Sequence, residues 1–167
     1  DGLRQGLIAD GRWRDLLDHD LERIDGVTDT RVALAVRLGM AHLASHQLKD
    51  FDAAEAQLRT AIEQSPNYLP ALDALVELYG VQGKKKEQAE ALENAAGILN
   101  SGPSRASYML RAARLWADLG DRERSIRLLQ QSSGDGPGPL LAREWLVESY
   151  LAEERWADAA ESLRQIA

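Results

Sequence analysis

Apolar residues recur at spacings of three and four along most of the chain, as in Leu72, Leu75, Val76 and Tyr79, and again in Leu146, Val147, Tyr150 and Leu151. That spacing lines one face of an α-helix. The periodic segments run for roughly 12 to 18 residues each, the length of ordinary amphipathic helices. Breaks containing Gly or Pro separate them at Asp10-Gly11, Asp25-Gly26, Ser65-Pro66-Asn67, Gly83, Asn100 to Pro103, Gly120-Asp121 and Ser133 to Pro139. No stretch alternates with period two over the length of a strand, so the pattern predicts an all-α fold.

The predicted helices fall into pairs with a recurring signature. In the second helix of each pair, a small or apolar residue precedes another by seven positions: Ala54 and Ala61, Ala89 and Ala96, Ser125 and Ser132, Ala159 and Ile166. Extending the series backward reaches Leu17 and Ile24. In the first helix a ring recurs at His42, Tyr79, Trp116 and Tyr150, three positions after Gly39, Val76, Ala113 and Val147. Antiparallel helices approach closely only where side chains are small, so Gly39, Ala54 and Ala89 are expected at the contact, with the rings filling the gap beside it. Gly83 and Gly120 stand where a first helix must end, and glycine takes the left-handed cap conformation without a Cβ penalty. Pro66 and Pro103 follow second helices, where a missing N–H does little harm.

This pattern resembles the tetratricopeptide repeat, a helix–turn–helix unit of about 34 residues. Leu38-Gly39, His42, Ala54, Leu58, Ala61 and Pro66 follow the family's order, with about three extra residues in the turn around Ser45 to Lys49. A second copy keeps Leu72, Leu75, Tyr79, Gly83, Ala89 and Ala96; a third keeps Trp116, Gly120, Ser125 and Leu129; a fourth keeps Leu146, Tyr150, Trp156, Ala159 and Leu163. The resemblance implies a single array over 1–167, with a partial repeat at 1–25 and repeats at about 29–66, 67–102, 104–136 and 139–167. It further implies a right-handed superhelix in which each repeat touches its neighbours.

Composition narrows the function classes. The chain has 167 residues, 44% hydrophobic and 28% charged, with a net charge of −7. That balance argues against nucleic acid as a partner, since binding the phosphate backbone needs clustered positive charge. The absence of cysteine removes disulfide scaffolds, thiolate zinc sites, iron–sulfur clusters and thiol nucleophiles, and fits cytoplasm and periplasm equally well. No apolar run approaches the ~18 residues of a membrane-spanning helix, so no membrane insertion is expected. Sixteen arginines against four lysines, with 25 alanines, read as a GC-rich coding bias of bacterial type. A start at Asp1 points to a processed or excised piece of a longer chain. An end inside the last second helix leaves Leu163 and Ile166 without a polar capping helix, as though further chain or another copy packs there.

No catalytic constellation emerges. His42 and His46 have the i, i+4 spacing of a metal-binding pair, but Leu43 stands where a zinc protease carries glutamate. Because His42 holds the ring position, it is expected as a packed structural histidine, and no metal or other cofactor is assigned. His19 lies among Asp15, Asp18 and Asp20, as on a solvated acidic helix face. Gly83-Lys84-Lys85-Lys86 lacks the upstream glycine of a phosphate loop and the hydroxyl residue after the lysine, and reads as a solvated turn.

What remains is surface recognition. In tetratricopeptide arrays the first helices line a concave groove, and counting from the ring positions places Val36, Met40 and Leu43, then Asp73 and Glu77, then Leu110, Arg111 and Arg114, then Glu144 and Glu148 in that groove. The family's carboxylate clamp needs Lys and Asn where Asp73 and Glu77, or Val36 and Met40, stand, so that clamp is absent. The resemblance implies a non-catalytic scaffold whose groove takes a peptide or helix with an apolar anchor near Met40 and basic residues opposite Asp73, Glu77, Glu144 and Glu148. Two alternatives accompany it: a regulatory or sensor region of a larger multidomain protein, and a self-assembling module that forms homo-oligomers through its uncapped ends.

Overall fold

The computed structural model describes residues 2–132, 139–164 and 166. The stretch 133–138, which the sequence reads as a connection between repeats, lies outside the described residues. Among those described there is helix and no strand. The helices are α1 (Gly2–Ala9), α2 (Trp13–Ile24), α3 (Thr30–His42), α4 (Phe51–Gln64), α5 (Leu69–Gln82), α6 (Lys85–Ile98), α7 (Pro103–Asp118), α8 (Arg122–Ser132), α9 (Pro139–Ala152) and α10 (Trp156–Arg164). A π-helical segment, Leu43–Leu48, follows α3 directly.

The chain divides into two compact units, one up to Leu78 and one from Tyr79 onward. In the first, α1 packs on α2, α2 on α3, and α3 on α4. Its core gathers Leu7, Leu16, Leu17, Ile24, Leu34, Met40 and Leu58, with Ala41, Ala44, Ala54 and Ala61 closing the α3–α4 hairpin at almost no exposure. In the second unit α6 packs on α7, α7 on α8, α8 on α9, and α9 on α10. Its core is built on Leu92, Met109, Trp116, Ile126, Leu129, Leu146 and Tyr150, with small residues such as Ala89, Ala96, Ala113 and Ser125 between them. The polar atoms of two core rings are paired. The Trp116 indole N–H donates to Glu93, which also pairs with Arg124 at 2.9 Å. The Tyr150 hydroxyl accepts from Gln130 at 2.7 Å.

One turn recurs between paired helices. The backbone N–H of Arg12, Lys84, Asp121 and Arg155 each donates to the carbonyl five residues earlier, on Leu7, Tyr79, Trp116 and Tyr150 respectively, always at 2.9 Å. The residue just before the donor has positive φ: Gly11 (66°), Gly83 (68°), Gly120 (86°) and Glu154 (58°). This is a Schellman closure, and it satisfies carbonyls that the ending helix leaves unpaired.

The α3–α4 hairpin closes differently. Its left-handed residue is Lys49 (φ 55°), and the N–H of Asp50 reaches back six residues to the Ala44 carbonyl at 2.9 Å. The extra residue is absorbed by the π-helical segment, as single insertions into helices commonly are. Ala44 therefore occupies the place that Tyr79, Trp116 and Tyr150 hold, and it is fully buried. This corrects the sequence register of α3 by two residues. His42 is exposed instead of packed, and the insertion is one residue instead of three. Gly39 is also exposed, and a Cβ there would meet nothing within 4 Å; Ala41 makes the close approach in its stead.

Candidate partner-binding surfaces

The turn register fixes which side of each first helix faces outward. Three positions before the closing carbonyl stand Ala41, Val76, Ala113 and Val147, all buried. The next residue in each case, His42, Glu77, Arg114 and Glu148, is exposed. Four further along come His46, Val81, Asp118 and Ala152, exposed as well. On each first helix, taken by itself, the same two register positions are thus exposed, and they carry histidine, carboxylate, guanidinium or apolar groups.

The site residues expected from sequence separate on this basis. Glu77, Arg111, Arg114, Glu144 and Glu148 are exposed, and Asp73 is half-buried. Met40 is 1% exposed and Leu110 8%, so both are core residues and neither anchors a partner from the surface. The shifted register of α3 explains Met40: counted from Ala44, it matches buried Leu75, and the position that matches Glu77 belongs to His42. Val36 and Leu43 are half-buried and lie off that face, in a cleft between the α1–α2 hairpin and α3.

That cleft has two compartments. The larger, about 650 Å³, is lined by Ile24, Val27, Val32, Ala35 and Val36 with Arg23 and Arg31 at its rim. The smaller, about 350 Å³, is lined by Ile8, Trp13, Leu16 and Leu43 with His42 and His46. Arg4, Asp20 and Gly39 line both. Arg4 places Nε and Nη2 at 3.2–3.3 Å from the Asp20 carboxylate, whose other neighbour is His19 Nδ1 at 3.2 Å. His19 is consequently a half-buried partner of Asp20, a difference from the solvated acidic face expected.

In the second unit, Arg114 and Glu148 line a cavity of about 250 Å³ between α7, α8 and α9, together with Asp118, Arg122 and Trp145. The Arg114 guanidinium lies 5.6 Å from the Trp145 ring centre and 3.9 Å from the Asp118 carboxylate, which also pairs with Lys85 at 3.3 Å. Sequence spacing did not single out Trp145 or Arg122, because neither stands at a ring or turn position. Among the described residues no three His, Asp or Glu side chains converge as metal ligands, and no helix is long and apolar enough to cross a membrane.

The sequence matches no family model and no curated protein. Solved structures resemble it throughout. MamA superposes with a TM-score of 0.60 at 11% identity, covering 98% of this chain and 91% of that one. The nearly identical TPR-like repeats of a kinesin light chain from Podosopora anserina give 0.58 at 20% identity, covering 99% and 90%. BtubC from P. vanneervenii gives 0.55 at 13% identity, covering 98% and 75%. At these identities the likeness establishes fold, and together with the recurring Schellman-closed hairpins it gives this chain the all-α helix-hairpin fold of the tetratricopeptide-repeat proteins.

Proposed function

We propose that this chain is a non-catalytic scaffold that binds a segment of a protein partner on the outward faces of its first helices. The observation that carries the reading is the alternation at one register position: Val76, Ala113 and Val147 are buried, while the adjacent Glu77, Arg114 and Glu148 are exposed. In the first unit, Asp73 and Glu77 on α5 offer carboxylates, and the cleft holding Val36 and Leu43 takes an apolar anchor in place of Met40. In the second unit, Glu144 and Glu148 receive basic residues beside Arg111, Arg114 and the Trp145 ring. Exposed charges of this kind set on-rate and specificity more than affinity, so binding weakens with salt.

The test compares the chain, as bait in a native lysate, with a variant carrying Asp73→Lys, Glu77→Lys, Glu144→Lys and Glu148→Lys. A protein retained by the first and lost by the second supports the reading; equal retention by both overturns it. Self-association is the second reading. It is favoured by the apolar surface of α10, where Trp156 is 63% exposed and Leu163 52%. A mass that rises with concentration, and falls back in Trp156→Ala, would select it.

A further inference from the structure

We propose that His42 and His46 form a two-histidine chelate for a borderline first-row divalent cation of the Cu²⁺, Ni²⁺ and Zn²⁺ group. The sequence argument against a metal was that His42 packs in the ring position. The structure removes that argument, because Ala44 takes the ring position and both imidazoles are exposed side by side. Their ring centroids lie 5.5 Å apart at an interplanar angle of 39°. A single ion reached by one nitrogen of each ring needs centroids at about this separation, given metal–nitrogen bonds of about 2.0–2.1 Å.

The hydrogen bonds around His46 select the nitrogen that would ligate. His46 Nδ1 lies 3.2 Å from the His42 carbonyl and 2.8 Å from Ser45 Oγ, and Ser45 Oγ itself donates to that carbonyl at 3.2 Å. A carbonyl only accepts, so in the tautomer that bonds it Nδ1 carries the proton and Nε2 keeps its lone pair to ligate. An imidazole whose second nitrogen donates to a backbone carbonyl is the usual outer-shell arrangement of a metal-binding histidine, fixing tautomer and ring orientation together. The π-helical segment supplies this geometry: it begins at Leu43, immediately after His42, and carries Ser45 and His46. Such widened turns recur at functional positions in helices.

Donor chemistry sets the class of ion. Two neutral imidazoles suit Cu²⁺, Ni²⁺ and Zn²⁺ and are poor ligands for Mg²⁺ and Ca²⁺, which want oxygen. Two protein donors leave the remaining positions open toward the adjoining cavity of about 350 Å³, where Gln47, Leu43 and Trp13 also lie. Water, or a donor from a bound partner, completes the coordination. The chain holds three histidines and no cysteine. The third, His19, is only 13% exposed and has its Nδ1 against Asp20, so it makes an internal control.

The experiment is calorimetric titration of the untagged 167-residue chain with Cu²⁺, Ni²⁺ and Zn²⁺ in turn, with Mg²⁺ as the hard-ion comparison, alongside retention on a nickel-chelate column. Saturable 1:1 binding is expected for the three borderline ions, absent for Mg²⁺, and weakened at least about tenfold in both His42→Gln and His46→Gln. Ser45→Ala, which loosens only the anchor of Nδ1, is expected to weaken binding less than either, and His19→Gln to leave it unchanged. Circular dichroism of each variant checks that the helices persist; both histidines are exposed, so their loss leaves the core intact. Binding that survives in either histidine variant, that disappears in His19→Gln, or that is absent from the parent chain overturns the proposal.

Discussion

Arg4 on α1 forks onto Asp20 of α2, with Nε and Nη2 both within 3.3 Å of the carboxylate, and both residues line the two compartments of the first unit's cleft. The Asp20 side chain is 9% exposed and the Arg4 side chain 46%, so the carboxylate carries the desolvation and the arginine relieves it. Arg4→Ala is expected to cost about 1–3 kcal/mol, the range for a buried polar group that loses its partner. Arg4→Lys keeps the charge but loses the fork, and should fall between the two. Urea unfolding midpoints would rank the three; an Arg4→Ala midpoint equal to that of the parent would show that His19 alone satisfies Asp20.

The two-residue shift in α3 makes opposite predictions for neighbours. Gly39 is an exposed helix-interior glycine with open space where a Cβ would stand, so Gly39→Ala should stabilise by about 0.5–1 kcal/mol. Ala41 is 2% exposed, and Ala41→Leu should overpack the core and destabilise by about 1–3 kcal/mol. Under the register read from sequence the signs would be reversed, with Gly39 at the close approach. Thermal melts of the two variants decide between them.

That shift also shows where the sequence ceased to be legible. Hairpins marked by Gly83 and Gly120 were readable because only glycine enters left-handed backbone freely, so the turn writes itself into the composition. Lys49 and Glu154 adopt the same backbone without that mark, and the α9–α10 turn consequently had no signal. In α3 the Leu38-Gly39 pair mimicked the repeat, while the π-helical insertion between Ala44 and Lys49 changed the count by one residue. Periodicity cannot reveal such an insertion, because the apolar residues on either side stay in phase with their own helix. Glu77, Glu144 and Glu148, expected in the groove, are exposed, and α5 and α9 end without an insertion that would shift their register.

Glu154 and Lys49 supply a stability prediction of their own. Both have side chains in a region that L-residues enter at a cost of roughly 1–2 kcal/mol. Glu154→Gly and Lys49→Gly should each recover about 0.5–1 kcal/mol after the added entropy of the unfolded chain is subtracted. Gly83→Ala and Gly120→Ala should lose a comparable amount, although no atom stands within 4 Å of an added Cβ at either position. A loss at the glycines without a gain at Glu154 would mean that its i−5 closure depends on more than φ.

Asp50 caps α4 and gives the chain an acid-sensitive element. Its side chain accepts from the Ala53 backbone N–H at 3.1 Å and from Arg14 Nη2 at 3.0 Å. The Ala53 hydrogen bond first, and the Arg14 guanidinium second, hold its carboxyl below the ordinary carboxylate range. A depressed pKa in the folded state contributes stability that is present above the unfolded value and lost as the pH falls through the folded one. The contribution should therefore be complete at neutral pH and fade progressively as the pH falls below about 4, through the depressed folded value. Asp50→Asn keeps a capping oxygen but has no charge to lose, so its melting temperature should fall less steeply between pH 5 and pH 2 than that of the parent. Asp50→Ala removes the cap at every pH and should melt lower throughout, with the same shallow slope. Parallel slopes for parent and Asp50→Asn would assign the acid sensitivity to other carboxylates.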